Sequence, residues 1–394
     1  MAKVCVAISG GVDSSTAAYL LKQQGHEVFG MFMINWHDTC GLLEGDCPAH
    51  DDEIFAKLVC KKLDIPLHII DLSEEYSKRV VDYMFDEYSK GRTPNPDVLC
   101  NREMKFDVFL KEALKLGAEY VATGHYCQKN EYLFDDGKTI YSLKAGYDTN
   151  KDQSYFLCQL TQEQLKYVLF PIGHLTKPEV RKIAEEQGLA TAKRKDSQGI
   201  CFVGKVDLPE FLKQKLKEKE GDIIEISNDW EGYNRHYFSD NPYIDAEPYS
   251  YTREDGKVIG KHNGAHFYTI GQSKGLSIGG RKEKMFVIAT DVENNIIYVG
   301  EGHNHKGLNR RMLYIKNENM HFINPDNKLM IKYLPKHKYN VRIRYRQALQ
   351  KAEIVISDKK TYIIFDEPQR GISPGQFAAW YDDSGNLLGS GVIE

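Results

Sequence analysis

No run of the 394-residue chain is long and apolar enough to cross a bilayer; the longest, such as residues 28–34, have the length of a strand. The N-terminus lacks the charged region, apolar stretch and small-residue cleavage site of a secretory signal, and it has no arginine-rich leader. The expected location is cytoplasmic, with no membrane partner. Glycine (32) and proline (13) are too few and too scattered for a collagen-like repeat, and 41% hydrophobic with 27% charged residues excludes a mainly disordered chain. Neither sign of charge dominates: the net charge is −4, so no global basic field points to a polyanion. The eight cysteines, at 5, 40, 47, 60, 100, 127, 158 and 201, contain no Cys-x-x-Cys pair, which excludes a zinc ribbon or a thioredoxin-type site. In a reducing compartment most of them read as thiols.

The first half of the chain alternates two periodicities. Solid apolar runs at 4–8, 28–34, 67–72 and 120–122 are separated by helical patterns at 14–24, 51–63, 76–88 and 105–116, the last ended by Gly117. This alternation predicts a doubly wound parallel α/β sheet covered on both faces. A further Lys-rich helix is expected over 207–219, with Asp207 as N-cap. Beyond it, short Tyr-, Ile- and Val-rich runs at 286–289, 296–299, 339–345, 352–356, 362–365 and 377–381 alternate with turn signals. They suit a small antiparallel barrel. Residues 223–254 are polar and Tyr-rich, without a period that assigns them. Residues 327–352 hold eight Lys or Arg and no Asp or Glu, a local basic surface that the net charge conceals.

Ser9-Gly10-Gly11-Val12-Asp13-Ser14-Ser15 joins the first strand to the first helix. Glycines let the backbone approach a phosphate, and the helix N-terminus offers unpaired N–H groups. A tight turn with a Ser cap is the plain alternative. The string lacks the Lys of a Walker loop and the spacing of a dinucleotide fingerprint. It resembles the PP-loop of enzymes that split ATP into AMP and pyrophosphate. Met33, ending the second strand, falls at the carboxyl edge of the sheet, where such folds bind ligands.

Two later stretches carry cysteines. In Thr93-Pro94-Asn95-Pro96-Asp97-Val98-Leu99-Cys100-Asn101 the prolines predict a rigid, exposed, non-helical segment, and Asp97 and Cys100 would share a face if they lay on one helical turn. Taken by itself, this stretch equally suits an Asp cap followed by a small buried thiol. In the second stretch, Cys201 follows Lys193, Arg194 and Lys195 in a Gly-containing loop, where positive charge favours thiolate. With the loop at 9–15, and with Ala122-Thr123-Gly124-His125-Tyr126, Lys151-Asp152-Gln153-Ser154-Tyr155-Phe156-Leu157, Phe170-Pro171-Ile172-Gly173, Phe267-Tyr268-Thr269-Ile270-Gly271-Gln272, 342–347 and Pro374-Gly375-Gln376, the chain resembles the tRNA-specific 2-thiouridylases (MnmA/TrmU family) over nearly its whole length. Residues 227–251 look like an insertion, and 303–338 look longer than usual.

The resemblance implies three domains. These are an adenine-nucleotide α-hydrolase-like domain at 1–205, a central domain at 206–282 with the insertion, and a C-terminal β-barrel that binds tRNA at 283–394. It implies ATP with Mg²⁺ bound by Ala7, Ile8, Ser9, Gly10, Gly11, Val12, Asp13, Ser14, Ser15, Met33 and Gly124. The wobble uridine of the tRNAs for Lys, Glu and Gln would be adenylated on its C2 oxygen. Cys201 would then deliver sulfur from a persulfide, Cys100 would be the resolving thiol, and Asp97 the general acid or base. Asn95, Pro96 and Asp97 would line the base pocket, with His125, Lys151, Asp152, Gln153, Arg344, Tyr345 and Gln376 touching tRNA. The sulfur donor would be a relay protein or a cysteine desulfurase. A second reading ligates an iron–sulfur cluster at Asp97, Cys100 and Cys201, though the expected Cys spacing is absent. No permanent metal site is expected otherwise; Cys40 and Cys47, near His37 and His50, fit structural zinc poorly and read as part of an active-site loop. Two alternatives stay open: another PP-loop ligase, or a tRNA-binding protein without catalysis.

Overall fold

The structure, a computed structural model, describes residues 1–37, 48–195, 208–334 and 336–394. The first sheet holds β1 (Lys3–Ala7), β2 (Glu27–Ile34), β3 (Leu67–Asp71) and β4 (Tyr120–Ala122). After a hairpin of β5 (Cys127–Leu133) and β6 (Thr139–Ala145), it is completed by β7 (Val168–Leu169). All its pairings are parallel, in the order β3-β2-β1-β4-β7. Successive residues of one strand serve opposite faces. Val4, Val6, Phe32 and Ala122 pack with Ala17 and Leu21 of α1 (Val12–Gln23) and Val59 of α2 (Pro48–Leu63). Cys5, Phe29, Met31, Met33 and Val121 pack with Tyr76, Val80, Met84, Phe109 and Leu110 from the other side. Each large apolar side chain buried this way contributes roughly 2 kcal/mol, which is why the runs are solid rather than alternating. Cys5, Cys60 and Cys158 are core residues, as expected.

The chain is helical over 73–89 and 96–115, each run including a π-helical stretch, Ser77–Val81 and Cys100–Val108. This corrects the expectation of a non-helical, exposed 93–101. Pro96 occupies the first helical turn, where its missing N–H costs nothing, and Asn95 caps the turn by accepting from the Val98 N–H at 3.2 Å. Val98, Leu99 and Cys100 are buried. The helix expected over 207–219 is described only at Leu208–Leu212. From 213 onward Leu216 is the one apolar residue up to 219, so further turns would bury little. Asp207 lies outside the described residues.

The central sheet runs β10 (Met285–Asp291)-β11 (Ile296–Glu301)-β8 (Gly221–Ile226)-β9 (Gly256–His262). The runs at 286–289 and 296–299, assigned above to the start of the barrel, belong to this sheet instead: β10 pairs with β11, and Ile297 and Tyr298 of β11 face Ile223 and Ile224 of β8 in one parallel register. The barrel consists of β12 (Asn309–Phe322), β13 (Lys338–Arg342), β14 (Gln350–Ile356), β15 (Lys360–Arg370), β16 (Phe377–Tyr381) and β17 (Asn386–Ile393). It is closed by β12 on β17. The β5–β6 hairpin joins it through β6 on β17.

The Tyr-rich stretch after β8 gathers Trp230, Tyr233, Tyr249 and Tyr251 into an aromatic cluster on the central sheet. It then reaches the barrel, where Tyr243 stacks on Tyr362 at 4.2 Å and Glu247 pairs with Lys360 at 2.5 Å. A buried ion pair of Asp152 with Arg342, at 2.9 Å, ties the first domain to the barrel. Asp152 Oδ1 also accepts from the Gly146 and Ser154 N–H groups at 3.0 Å each.

Candidate active site

The strand order reverses between β1 and β4, and it is outside the carboxyl ends of the strands at such a reversal that sheets of this kind bind ligands. The loop after β1 turns at Gly10, whose φ of +71° suits glycine and where a Cβ would collide with the Asp52 carbonyl. Ser14 Oγ accepts from the Ser9 N–H at 3.2 Å, and Ser15 Oγ donates to the Gly11 carbonyl at 2.7 Å. Gly11 caps α1 without a side chain, leaving the first N–H groups of the helix to face an anion. From the other side Gly124 approaches so closely that a Cβ would lie 2.6 Å from Ser14 N. The loops expected to hold a nucleotide therefore meet, with Ala7, Ile8 and Val12 forming the base of the turn and Met33 buried in the neighbouring strand.

Asp13, on the first turn of α1, accepts from the Tyr126 hydroxyl at 2.8 Å and from Lys177 Nζ at 2.8 Å to each oxygen. No motif pointed to Lys177; its signal is a lysine at the start of a helix, Lys177–Glu186, with its side chain turned inward. Arg194 donates to the Gly10 carbonyl at 2.7 Å and pairs with Asp52 at 2.5 Å. Burial pushes the Asp52 carboxyl up, and Arg194 opposes that shift. One of the three cations preceding Cys201 is thus committed to the glycine-rich loop. Cys201 itself, like Cys40 and Cys47, lies outside the described residues.

The loop bearing Asn95, Pro96 and Asp97 sits at a junction of all three domains. Gln376 donates to the Thr93 and Pro94 carbonyls at 2.9 and 3.1 Å and accepts from Asn95 Nδ2 at 3.3 Å. Thr93 Oγ1 donates to Thr269 Oγ1 at 3.2 Å, and Arg92 joins Glu87 at 2.7 Å to the C-terminal Glu394 at 2.8 Å. Contacts from the central domain and from the barrel thereby fix the start of the helix at Pro96. Cys100 packs fully buried in the same cluster as Met33, Leu99 and Phe267. Asn101 Nδ2 reaches the Asp97 and Phe156 carbonyls at 3.0 and 3.2 Å.

Residues expected to touch tRNA divide by exposure. Arg344 is exposed, donating to the Arg370 carbonyl at 2.5 Å, and Tyr345 lies half-buried with its ring 4.2 Å from that of Phe156. Lys151 and Gln153 are half-buried, and Gln153 Oε1 accepts from the Tyr126 N–H at 3.0 Å. Asp152 is buried, and its carboxylate pairs with Arg342, so it ties the first domain to the barrel. His125 is also buried, its Nδ1 2.7 Å from Thr123 Oγ1 and its ring between Phe106 and Phe170. Asn35, directly after β2, is 2% exposed, and neither of its side-chain polar atoms has a hydrogen-bond partner among the described residues. The sequence signal for it is a polar residue ending a buried strand. Among the described residues no group of three or more His, Cys, Asp or Glu is arranged to hold a metal ion.

Burial, and then the charge of Lys105, hold the His125 pKa well below the usual imidazole range. The unfolded chain therefore binds a proton that the folded one does not, and stability falls as pH drops below about 6.5, by up to about 1.4 kcal/mol per pH unit. Urea unfolding at about pH 7.5 and about pH 5.5 checks this; His125→Asn is expected to remove its share of the dependence and leave that of His262, His266, His305 and His321, which burial also holds low.

The chain matches family models described as the tRNA methyl transferase HUP domain over residues 2–205, the tRNA methyl transferase PRC-barrel domain over 243–301, and the aminomethyltransferase beta-barrel domain over 311–393. It is 56% identical over 398 aligned positions to the tRNA-specific 2-thiouridylase MnmA of Christiangramia forsetii, covering 100% of both chains. The same identity and coverage hold for the protein of that name from Flavobacterium johnsoniae. For the one from Streptococcus thermophilus the identity is 43%, over 100% of this chain and 95% of the relative.

Proposed function

The chain belongs to the family of tRNA-specific 2-thiouridylases, and from that premise we propose how its own residues carry ATP-dependent tRNA thiolation. ATP is used at the loop of residues 9–15, with Mg²⁺ entering as the nucleotide's counter-ion. The substrate base is the wobble uridine of the tRNAs for Lys, Glu and Gln. Its C2 oxygen attacks the α-phosphorus; an O–P bond forms, the α–β bond breaks, and pyrophosphate leaves over the N-terminus of α1. The terminal sulfur of a Cys201 persulfide then attacks C2, and AMP departs with the oxygen. Cys100 attacks Cys201 Sγ, which leaves a Cys100–Cys201 disulfide and releases 2-thiouridine. A thiol reductant reopens the disulfide, and a sulfur-donor protein reloads Cys201. Asp97 moves the proton at the base.

The observation that carries this reading is Cys100. It lies one turn beyond Asp97 on a helix capped by Asn95, in a core cluster that also contains Met33 from the nucleotide strand. Amidating PP-loop ligases have no use for a thiol there. The chain leading to Cys201 is pinned beside Gly10 by Arg194, seven residues before it, which supports delivery of that cysteine to the same site. Lys151, Gln153, Arg344 and Tyr345 supply donors and a stacking ring for an unpaired anticodon loop. The basic run 327–352 offers phosphate contacts.

Nucleoside mass spectrometry tests the reading. Unmodified tRNA-Lys transcript is incubated with the protein, Mg-ATP, a thiol reductant and a persulfide donor, a cysteine desulfurase supplied with cysteine. ATP-dependent 2-thiouridine is the expected product. Pyrophosphate release without thiolation would move the missing step to the donor. If neither product forms with competent tRNA and donor, the chain binds tRNA without catalysis.

A further inference from the structure

Lys177 belongs to none of the motifs on which the reading above rests, yet its side chain ends at the centre of the glycine-rich loop. It is 8% exposed, a depth that a lysine rarely takes without a partner. It opens a helix fixed by a capping box of Thr176 and Glu179, and its own N–H donates to Asp148 Oδ2 at 2.9 Å. The backbone position is therefore set independently of the side chain. The ammonium lies 2.8 Å from both oxygens of Asp13, and the Tyr126 hydroxyl supplies a further donor to the same carboxylate.

The geometry poses an electrostatic problem. Asp13 stands on the first turn of α1, where the free N–H groups attract anions, so one negative charge already occupies the place where a polyphosphate would bind. Two like charges about 4 Å apart repel by about 4 kcal/mol at an effective dielectric of 20. An uncompensated Asp13 would oppose the nucleotide that the loop is shaped to receive. Lys177 cancels that charge. A lysine ammonium is a compact point charge on a flexible stem, so from this position it can face both Asp13 and a phosphate oxygen bound at the loop.

We infer that Lys177 is a pyrophosphate-binding residue: held at the loop by Asp13, its ammonium donates to an oxygen of the leaving pyrophosphate as the α–β bond breaks. The electron pair of that bond passes to the pyrophosphate oxygen, and Lys177 stays protonated throughout. The inference rests on the reading that residues 9–15 take a polyphosphate.

Binding of Mg-ATP, inorganic pyrophosphate and AMP, each measured by calorimetry on the full chain, separates this role from a structural one. In Lys177→Met, affinity for pyrophosphate and Mg-ATP should fall about tenfold or more while AMP binding changes by less than about twofold. Lys177→Arg should recover part of the loss. If Lys177→Met does not fold because Asp13 is left unpaired, the double variant Asp13→Asn/Lys177→Met removes both charges and should still lose pyrophosphate relative to AMP. Equal weakening of all three ligands, or of none, overturns the assignment and makes Lys177 a tie between helices. If the unaltered protein binds neither pyrophosphate nor ATP, the reading of the loop fails and the inference falls with it.

Discussion

Replacing Cys100 by alanine lowers 2-thiouridine formation by about a thousandfold or more, while tRNA-dependent pyrophosphate release continues. The first half of this result follows from the chemistry: without a resolving thiol the Cys201–uridine adduct has no partner to release it. The second follows from where the sulfur sits. Cys100 is fully buried, and exchanging a thiol for a hydrogen leaves only a small void, a loss of about 1 kcal/mol that the helix 96–115 can absorb. Asp97, the Asn95 cap and the Gln376 contacts are untouched, so the base pocket and the nucleotide loop stay assembled. The other described cysteines serve as controls. Burial pushes the Cys60 and Cys158 thiols up to about 12 and those of Cys5 and Cys127 higher still, which disfavours their thiolates, and none of the four lies on the helix that carries Asp97. Alanine at any of these four should leave the chemistry intact. Nucleoside mass spectrometry beside a pyrophosphate assay reads both halves. Full thiolation by Cys100→Ala would remove the resolving role, and simultaneous loss of pyrophosphate release in a folded variant would move Cys100 into activation.

Legibility in the sequence follows from how much of a residue's role is local. The parallel sheet can be read because β1, β2 and β4 are buried on both faces and so are solidly apolar. The glycine-rich loop can be read because a close backbone approach demands small residues in a row. The β5–β6 hairpin cannot: Gln128, Asn130 and Glu131 have no helical or strand-like apolar rhythm, and what fixes the hairpin is β17, more than two hundred residues away. The same holds for β10 and β11, whose own sequences suit either sheet until Ile223 and Ile224 select one. The motif at Pro374–Gln376 is visible as a string, but its reason is Thr93 and Asn95, across a domain boundary. Lys177 is the extreme case, an ordinary surface residue type whose partner lies at Asp13.

Substituting Gly124 with alanine lowers kcat/KM for ATP by about a hundredfold without unfolding the protein. A Cβ at this position would stand 2.6 Å from Ser14 N, 2.7 Å from Asp13 C and 2.9 Å from Asp13 Cβ, where ordinary contact begins at 3.4 Å. The obstacle is backbone, so no side chain can swing aside, and the loop after β4 and the first turn of α1 must part by about 0.8 Å. Neither can part freely. Tyr126, two residues after Gly124, holds Asp13 through its hydroxyl, and Lys177 holds Asp13 from a third element. The displacement therefore falls on the N–H groups at the start of α1, the donors that must meet a phosphate at hydrogen-bond distance. An anion site displaced by most of an ångström loses alignment for the displacement at the α-phosphorus even if it still binds nucleotide. Steady-state pyrophosphate release at varied ATP concentration measures the effect, with thermal unfolding as the check on folding. Gly279→Ala is the matched control, because a Cβ there meets nothing within 4 Å. Should Gly124→Ala turn over ATP as the unaltered protein does, the site between β1 and β4 is not where the nucleotide reacts, and the roles given to Asp13 and Lys177 fall with it.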